Sequence, residues 1–347
     1  MMQRNDRRMW AGMAGASALA VTGAVAQRRH IRRIASDPED AVLHDLPRGR
    51  PVRARLADGT RLHAEVFGPD EGQTIVLAHG WTEMLAFWTY VIRDLAARGF
   101  RVVAYDLRGH GESEPAAGGD YAIARFGDDV EAVLETCVPE GEHAVLAGHS
   151  LGAMSIAAWV EQHDVARRVN GAALLNTGVG DLVAESLLIP LPAIAAALNA
   201  TFGPTGLLGV RTRVPRFSSP LSYAMVRYTA FGPGASPAQV AFYERMLVAC
   251  PPDIRADAGI AISELDLRRA IPRLAVPTIV IAGELDKLTP PSHARRIAGS
   301  LPELERLIVL PETGHMTPLE RPGEISAALA ELAAVAAQRS GRAIAAT

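Results

Sequence analysis

Short, largely apolar runs and longer amphipathic stretches take turns along most of this chain. The runs near 74–79, 101–105, 143–147 and 171–176 are rich in Val, Ile, Leu and Ala and too short for helices. They read as strands covered on both faces. Between them, stretches near 87–98, 125–136 and 150–163 read as helices. Such alternation predicts an α/β fold, a mostly parallel sheet with right-handed crossovers and helices on both faces. Ahead of it, Val52–Leu56 and Leu62–Phe67 flank Ala57-Asp58-Gly59-Thr60, which predicts a β-hairpin. The rhythm breaks after Asn176-Thr177-Gly178. Residues 178–268 contain no convincing strand and read as helical near 181–200, 219–231, 236–249 and 253–262, with Pro and Gly between. Alternation resumes with strands at Pro277–Gly283 and Leu304–Leu310, and a helix near 322–338 closes the pattern. The expected organisation is an N-terminal segment 1–35, a polar linker 36–50 with Asp37-Pro38-Glu39-Asp40 as a breaker, a first core part 51–177, an inserted helical cap 178–268, a second core part 269–338 and a frayed tail 339–347.

Candidate chemistry enters where one strand signal meets one helix signal. Gly148-His149-Ser150-Leu151-Gly152 follows the apolar run Ala144–Ala147 directly and precedes the stretch Ala153–Trp159. G-x-S-x-G in a strand–turn–helix setting is a nucleophile elbow, which lifts the serine off the sheet edge. The two glycines permit backbone to pack where a Cβ would collide. A serine hydroxyl is a poor nucleophile at neutral pH and needs a base, with a third group to orient that base. For this elbow the chain order is Ser, then Asp or Glu, then His. Asp286 lies in the loop Glu284–Pro290 after one strand, and His315 in the loop Pro311–Met316 after the next. Both therefore fall at the same sheet edge as Ser150, where open parallel sheets collect ligands. Asp181 is a rival acid and Glu284 a weaker one. Two backbone donors are needed for an oxyanion. They are assigned to the N–H of Leu151 and, in the His79-Gly80-Trp81 loop after the strand at 74–79, to the N–H of Trp81.

Taken together, His79-Gly80-Trp81, Asp106-Leu107-Arg108-Gly109-His110-Gly111-Glu112-Ser113, Gly148 to Gly152, Gly283-Glu284-Leu285-Asp286 and Gly314-His315 resemble the α/β-hydrolase superfamily in content and order. The resemblance spreads over most of the chain. It implies an α/β-hydrolase fold with a helical cap, and a serine hydrolase of the esterase, lipase or haloperoxidase-like branch. Ser150 departs from the aspartate that epoxide hydrolases and haloalkane dehalogenases place at the elbow, and from the cysteine of dienelactone-type relatives. The expected function is hydrolysis of a small or medium apolar carboxylic ester through Ser150, His315 and Asp286 and an acyl-enzyme. Cofactor-free perhydrolase activity, C–C bond hydrolysis or a lyase reaction use the same parts. A ligand-binding or signalling protein on a hydrolase scaffold is the alternative from another class.

Composition narrows this further. The chain has 347 residues, 49% of them hydrophobic, enough for a sizeable core. A formal net charge of −3 gives no nucleic-acid footprint. No His, Cys and acidic set has metal-ligand spacing, and no G-x-G-x-x-G accompanies the elbow, so neither a metal nor a dinucleotide cofactor is expected. Cys137 and Cys250 form no redox or metal pair. Near the N-terminus, Arg4, Arg7 and Arg8 precede an uncharged run from Trp10 to Ala26, and Arg28, Arg29, Arg32 and Arg33 follow it. As a helix the run would span roughly 26 Å, slightly short of a bilayer core of about 30 Å. Three readings compete: membrane association through residues 10–26, secretion after cleavage near Ala26 following Ala24-Val25-Ala26, or an Ala-rich extension of a cytoplasmic protein.

Other polar residues read more plainly. His79 is a structural hydrogen-bonding residue and His149 a packing and shaping one. Asp106, Arg108, His110 and Ser113 tie loops together near the site mouth, and Trp81 forms part of the pocket wall. His63, His143, His163 and His293 read as surface residues. The apolar stretch Leu187–Ile194 would pack on the core, line an acyl pocket or touch a membrane.

Overall fold

The structure, a computed structural model, describes residues 24–186, 211 and 218–345. Its centre is an eight-stranded sheet: β1 (Arg50–Arg55), β2 (Arg61–Phe67), β3 (Thr74–Ala78), β4 (Arg101–Tyr105), β5 (Ala144–His149), β6 (Val169–Leu175), β7 (Thr278–Gly283) and β8 (Leu304–Leu310). The spatial order is β1-β2-β4-β3-β5-β6-β7-β8. The β1–β2 hairpin pairs antiparallel, with Gly59 at φ 93° in its turn, and β2 also runs antiparallel to β4; every other neighbour is parallel. Every residue of β3, β4, β5 and β7 is buried, which is why these strands read as continuous apolar runs rather than alternating ones.

The helices supply the two covering layers. In chain order they are α1 (24–35), α2 (Pro38–Leu43), α3 (Thr89–Ala97), α4 (Ile123–Cys137), α5 (Leu151–Gln162) and α6 (Leu182–Glu185). The next three, α7 (Pro220–Ala230), α8 (Pro237–Ala249) and α9 (Pro252–Glu264), lie between β6 and β7. The last are α10 (Pro291–Ser300), α11 (Thr317–Glu320) and α12 (Pro322–Ala345). On one face of the sheet Phe126, Val133, Met154 and Trp159 of α4 and α5 pack against Val76, Val103 and Leu146. On the other, Val91, Leu95, Leu329 and Leu332 of α3 and α12 pack against Ile75, Val102 and Val145. Cys137 and Cys250 are both buried and free.

Three local readings change. Asp37-Pro38 does not break a linker: Asp37 accepts the Glu39 N–H and Pro38 opens α2, an N-cap followed by an N1 proline. The closing helix continues through residue 339 to Ala345, and Arg339 pairs with Glu303 and Glu305 beside β8. His63 and His293 are buried, at 4% and 1% exposure, not on the surface. The Leu187–Ile194 stretch and most of the Trp10–Ala26 run lie outside the described residues; among those described, no helix is long and apolar enough to cross a membrane.

Candidate active site

The chain visits β3, then β4 on one side, then β5 on the other, so the loops after β3 and β5 part at a topological switch point. Ser150 stands there, between β5 and α5, at φ 50° and ψ −115°. A non-glycine residue held at positive φ costs on the order of 1–3 kcal/mol and persists only when its surroundings over-determine it. They do. The Ser150 N–H donates to the Leu175 carbonyl at 2.9 Å, and its carbonyl accepts the Thr177 hydroxyl at 3.0 Å and the Ala153 and Met154 amides. Close packing does the rest: a Cβ on Gly152 would stand 2.2 Å from the Ala78 carbonyl oxygen, and one on Gly148 would stand 2.5 Å from the Ala153 nitrogen.

Two strands away, the loops after β7 and β8 bring Asp286 and His315 together, with His315 Nδ1 2.8 Å from Asp286 Oδ2. That carboxylate also accepts the Asn176 side-chain amide at 2.9 Å, the Thr289 hydroxyl at 2.9 Å, and the Leu288 and Thr289 amides at 2.9 Å each. Burial pushes the Asp286 carboxyl up, but His315 and these hydrogen bonds outweigh it and leave it below its ordinary value. The carboxylate is therefore charged at neutral pH and fixes Nδ1 of His315 as a donor. Asn176 is itself held by Thr317, whose hydroxyl donates to its Oδ1 at 2.5 Å. The His315 amide donates to the Ala230 carbonyl at the end of α7, 2.8 Å away.

The loop after β3 completes the edge. His79 donates from Nδ1 to the Gly80 carbonyl at 2.8 Å and accepts the Leu107 amide at Nε2 at 3.0 Å. Burial, with His110 nearby, holds its pKa well below the usual imidazole value, so it is neutral, as that pair of bonds requires. In a trans peptide the carbonyl and the next N–H point opposite ways. The bond on Gly80 O therefore fixes the direction of the Trp81 N–H. Neither that N–H nor the Leu151 N–H is taken by an acceptor among the described residues. The Trp81 indole reaches away and donates to the Arg255 carbonyl in α9 at 2.9 Å.

The polar turn after β4 is a brace. Asp106 accepts the Leu85 amide at 2.7 Å and the Glu112 amide at 2.9 Å, and His110 accepts the Thr82 amide at 3.3 Å. Arg108, fully buried, pairs with Asp129 at 2.7 Å. The rival acids are elsewhere: Asp181 is exposed and paired with Arg268 at 3.1 Å, and Glu284 accepts the Glu312 amide. Residues missed in the sequence include Asn176, Glu83 and Glu320. Asn176 closes β6 in the left-handed region at φ 45°, and its place at the end of an apolar strand, beside Thr177-Gly178, was the available signal.

The chain belongs to the alpha/beta hydrolase fold family, whose profile matches residues 73–322. It is 27% identical over 280 residues to the AB hydrolase superfamily protein YisY of Bacillus subtilis, covering 78% of this chain and 96% of that one. It is 26% identical over 271 residues to the bifunctional esterase/perhydrolase DCH of Acinetobacter calcoaceticus, covering 75% of this chain and 91% of that one. A crystal structure of a hydrolase from Pseudomonas aeruginosa PA01 is similar at a TM-score of 0.65 and 27% identity, covering 82% of this chain and 99% of its own.

Proposed function

We propose that this protein is a serine hydrolase cleaving carboxylic esters with small or medium apolar groups, with Ser150 as nucleophile, His315 as general base and Asp286 as its orienting acid. The observation that supports this reading most is the 2.8 Å His315–Asp286 pair at the sheet edge that carries the strained Ser150 elbow. In the reaction, His315 Nε2 takes the Ser150 hydroxyl proton as Oγ attacks the ester carbonyl. The oxyanion lies against the N–H groups of Leu151 and Trp81. The tetrahedral intermediate collapses, the leaving alkoxide takes the proton from His315, and an acyl-enzyme remains. His315 then deprotonates water, which releases the acid and restores Ser150. Among the described residues, helices α6 to α9 serve as a cap over the site; the Trp81–Arg255 and His315–Ala230 hydrogen bonds support that role.

Labelling with a fluorophosphonate and turnover of an ester panel of graded chain length test the reading. Wild type is expected to label and turn over, and Ser150→Ala to do neither; equal labelling of both proteins would remove the nucleophile assignment. Perhydrolase activity is a second reading, favoured by the similarity to an esterase/perhydrolase. Peracid formation measured beside ester hydrolysis separates the two. Attachment to a membrane through residues 10–26 is part of the proposal, supported by the uncharged run and its basic flanks. Recovery of the full chain in a salt-washed membrane fraction is its test, and a wholly soluble chain would sink it.

A further inference from the structure

We propose that Glu83 and His149 form a positioning pair that sets the oxyanion loop and the His315 loop relative to Ser150; the inference rests on the serine-hydrolase reading above. Both side chains are buried, at 2% and 0% exposure. His149 Nδ1 lies 3.0 Å from Glu83 Oε1, and Glu83 Oε2 accepts the Gly80 amide at 2.5 Å. On its other side, His149 Nε2 lies 2.9 Å from the backbone carbonyl of His315. The ring is packed between Phe87, with centroids 4.8 Å apart, and the His315 ring, at 4.9 Å. One residue, bonded covalently to Ser150, thus links the elbow to the oxyanion loop, through Glu83, and to the His315 loop.

The chemistry explains why these two residue types stand there. The Gly80 amide and the His315 carbonyl are opposite in polarity and both sit where water is excluded. A bridge between them must accept at one end and donate at the other. Glu83 accepts, and an imidazolium donates from both nitrogens, to the carboxylate and to the carbonyl. Burial alone would lower the His149 pKa, but Glu83 overrides it and leaves it raised. The opposite holds for His79, whose two bonds require the neutral ring. The two histidines thus meet different partners: both His149 nitrogens face acceptor oxygens, whereas His79 donates from one nitrogen and accepts at the other. A shift of the Gly80–Trp81 peptide moves a donor away from the developing oxyanion, and a shift of the His315 backbone moves the base. Both losses fall on the transition state more than on bound substrate.

The test compares steady-state ester hydrolysis by wild type, His149→Phe, Glu83→Gln and Ser150→Ala, each checked for native folding by near-UV circular dichroism. His149→Phe keeps the ring shape but none of the hydrogen bonds. Its kcat is expected to fall about a hundredfold with KM within about threefold, the scale set by a misplaced catalytic geometry. Glu83→Gln keeps an acceptor for the Gly80 amide and leaves a neutral His149 able to donate to His315, so a smaller fall, about tenfold in kcat, is expected at unchanged KM. A folded His149→Phe with kcat near wild type, or with KM rising as much as kcat falls, would overturn the proposal. If His149→Phe does not fold, Glu83→Gln decides by the same two criteria. Ser150→Ala separates the two levels. Turnover surviving in Ser150→Ala overturns the catalytic reading and this inference with it. Turnover lost in Ser150→Ala but retained in the other variants overturns this inference alone.

Discussion

Five hydrogen bonds converge on the Asp286 carboxylate, and each favours its charged form. An amide at this position could offer its own N–H to His315 Nδ1, which would put the ring proton on Nε2 and deprive the proposed reaction of its base. Asp286→Asn is therefore expected to lower kcat on the order of 10⁴-fold without unfolding the protein. Asp181→Asn removes only an exposed partner of Arg268 and is expected to leave kcat within about twofold, since exposed ion pairs contribute little. Steady-state kinetics on both variants check the pair, and a larger loss in Asp181→Asn would reverse the choice of acid. The meeting of His315 with Asp286, at the sheet edge that carries the Ser150 turn, was legible because motif, strand order and chain order each point there independently. Asn176, Glu83 and Glu320 were not. Glu83 and Glu320 meet the Gly80 and Gly314 amides, and nothing in the spacing of a sequence marks which backbone amide a carboxylate will meet; Asn176 meets the Asp286 side chain, and only its place at the end of an apolar strand pointed to it. His63 and His293 were misread for a related cause: a lone histidine carries no burial signal, and neighbours from other elements decide its environment.

At the level of elements, the tightest contact in the elbow is between α5 and the end of β3. Gly152 lets the helix rest on the Ala78 carbonyl, where a Cβ would stand 2.2 Å away. Gly152→Ala is thus expected to cost about 1–3 kcal/mol or more in urea unfolding, because the helix must back away from the strand. An unchanged urea midpoint would mean that the helix shifts freely. The same displacement would carry the Leu151 amide with it, so ester turnover should fall in the variant even where it remains folded. This kind of contact was readable, because G-x-S-x-G names both glycines. Strands were readable for another reason: burial on both faces leaves an unbroken apolar run. Ends were read less well. Asp37-Pro38 is a turn signal and a helix-start signal alike, and only the packing of Leu43 against the aromatic and aliphatic side chains around α3 and α8 settles which applies. The closing helix outran its expected end, and there Arg339 meets Glu303 and Glu305, acids beside and on a strand that is close only in the folded chain.

On the scale of the whole molecule, the segment after α7 and the loop carrying His315 share one carboxylate. Glu320 in α11 accepts the Gly232 amide at 2.8 Å and the Gly314 amide at 3.0 Å, the second immediately before His315. Burial is the chief influence on it and raises its pKa from 4.5 to about 7, the amide donors only partly offsetting that. The sign of the consequence follows from proton counting. Between about pH 4.5 and 7 the folded protein holds this proton and the unfolded chain does not, so stability from this group is greatest at low pH and falls as pH rises toward 7. Above that window both states are ionised and the dependence levels off. Glu320→Gln keeps an acceptor for the two amides and removes the titration. The difference in unfolding free energy between wild type and Glu320→Gln, followed by urea denaturation from pH 5 to 8, is therefore expected to move steadily against wild type up to about pH 7 and then become flat. A constant difference across that range would show that Glu320 ionises as freely in the folded protein as in the unfolded chain. The Gly232 and Gly314 amides would still share its carboxylate, but that bridge between the helical insertion and the His315 loop would add no pH dependence to stability.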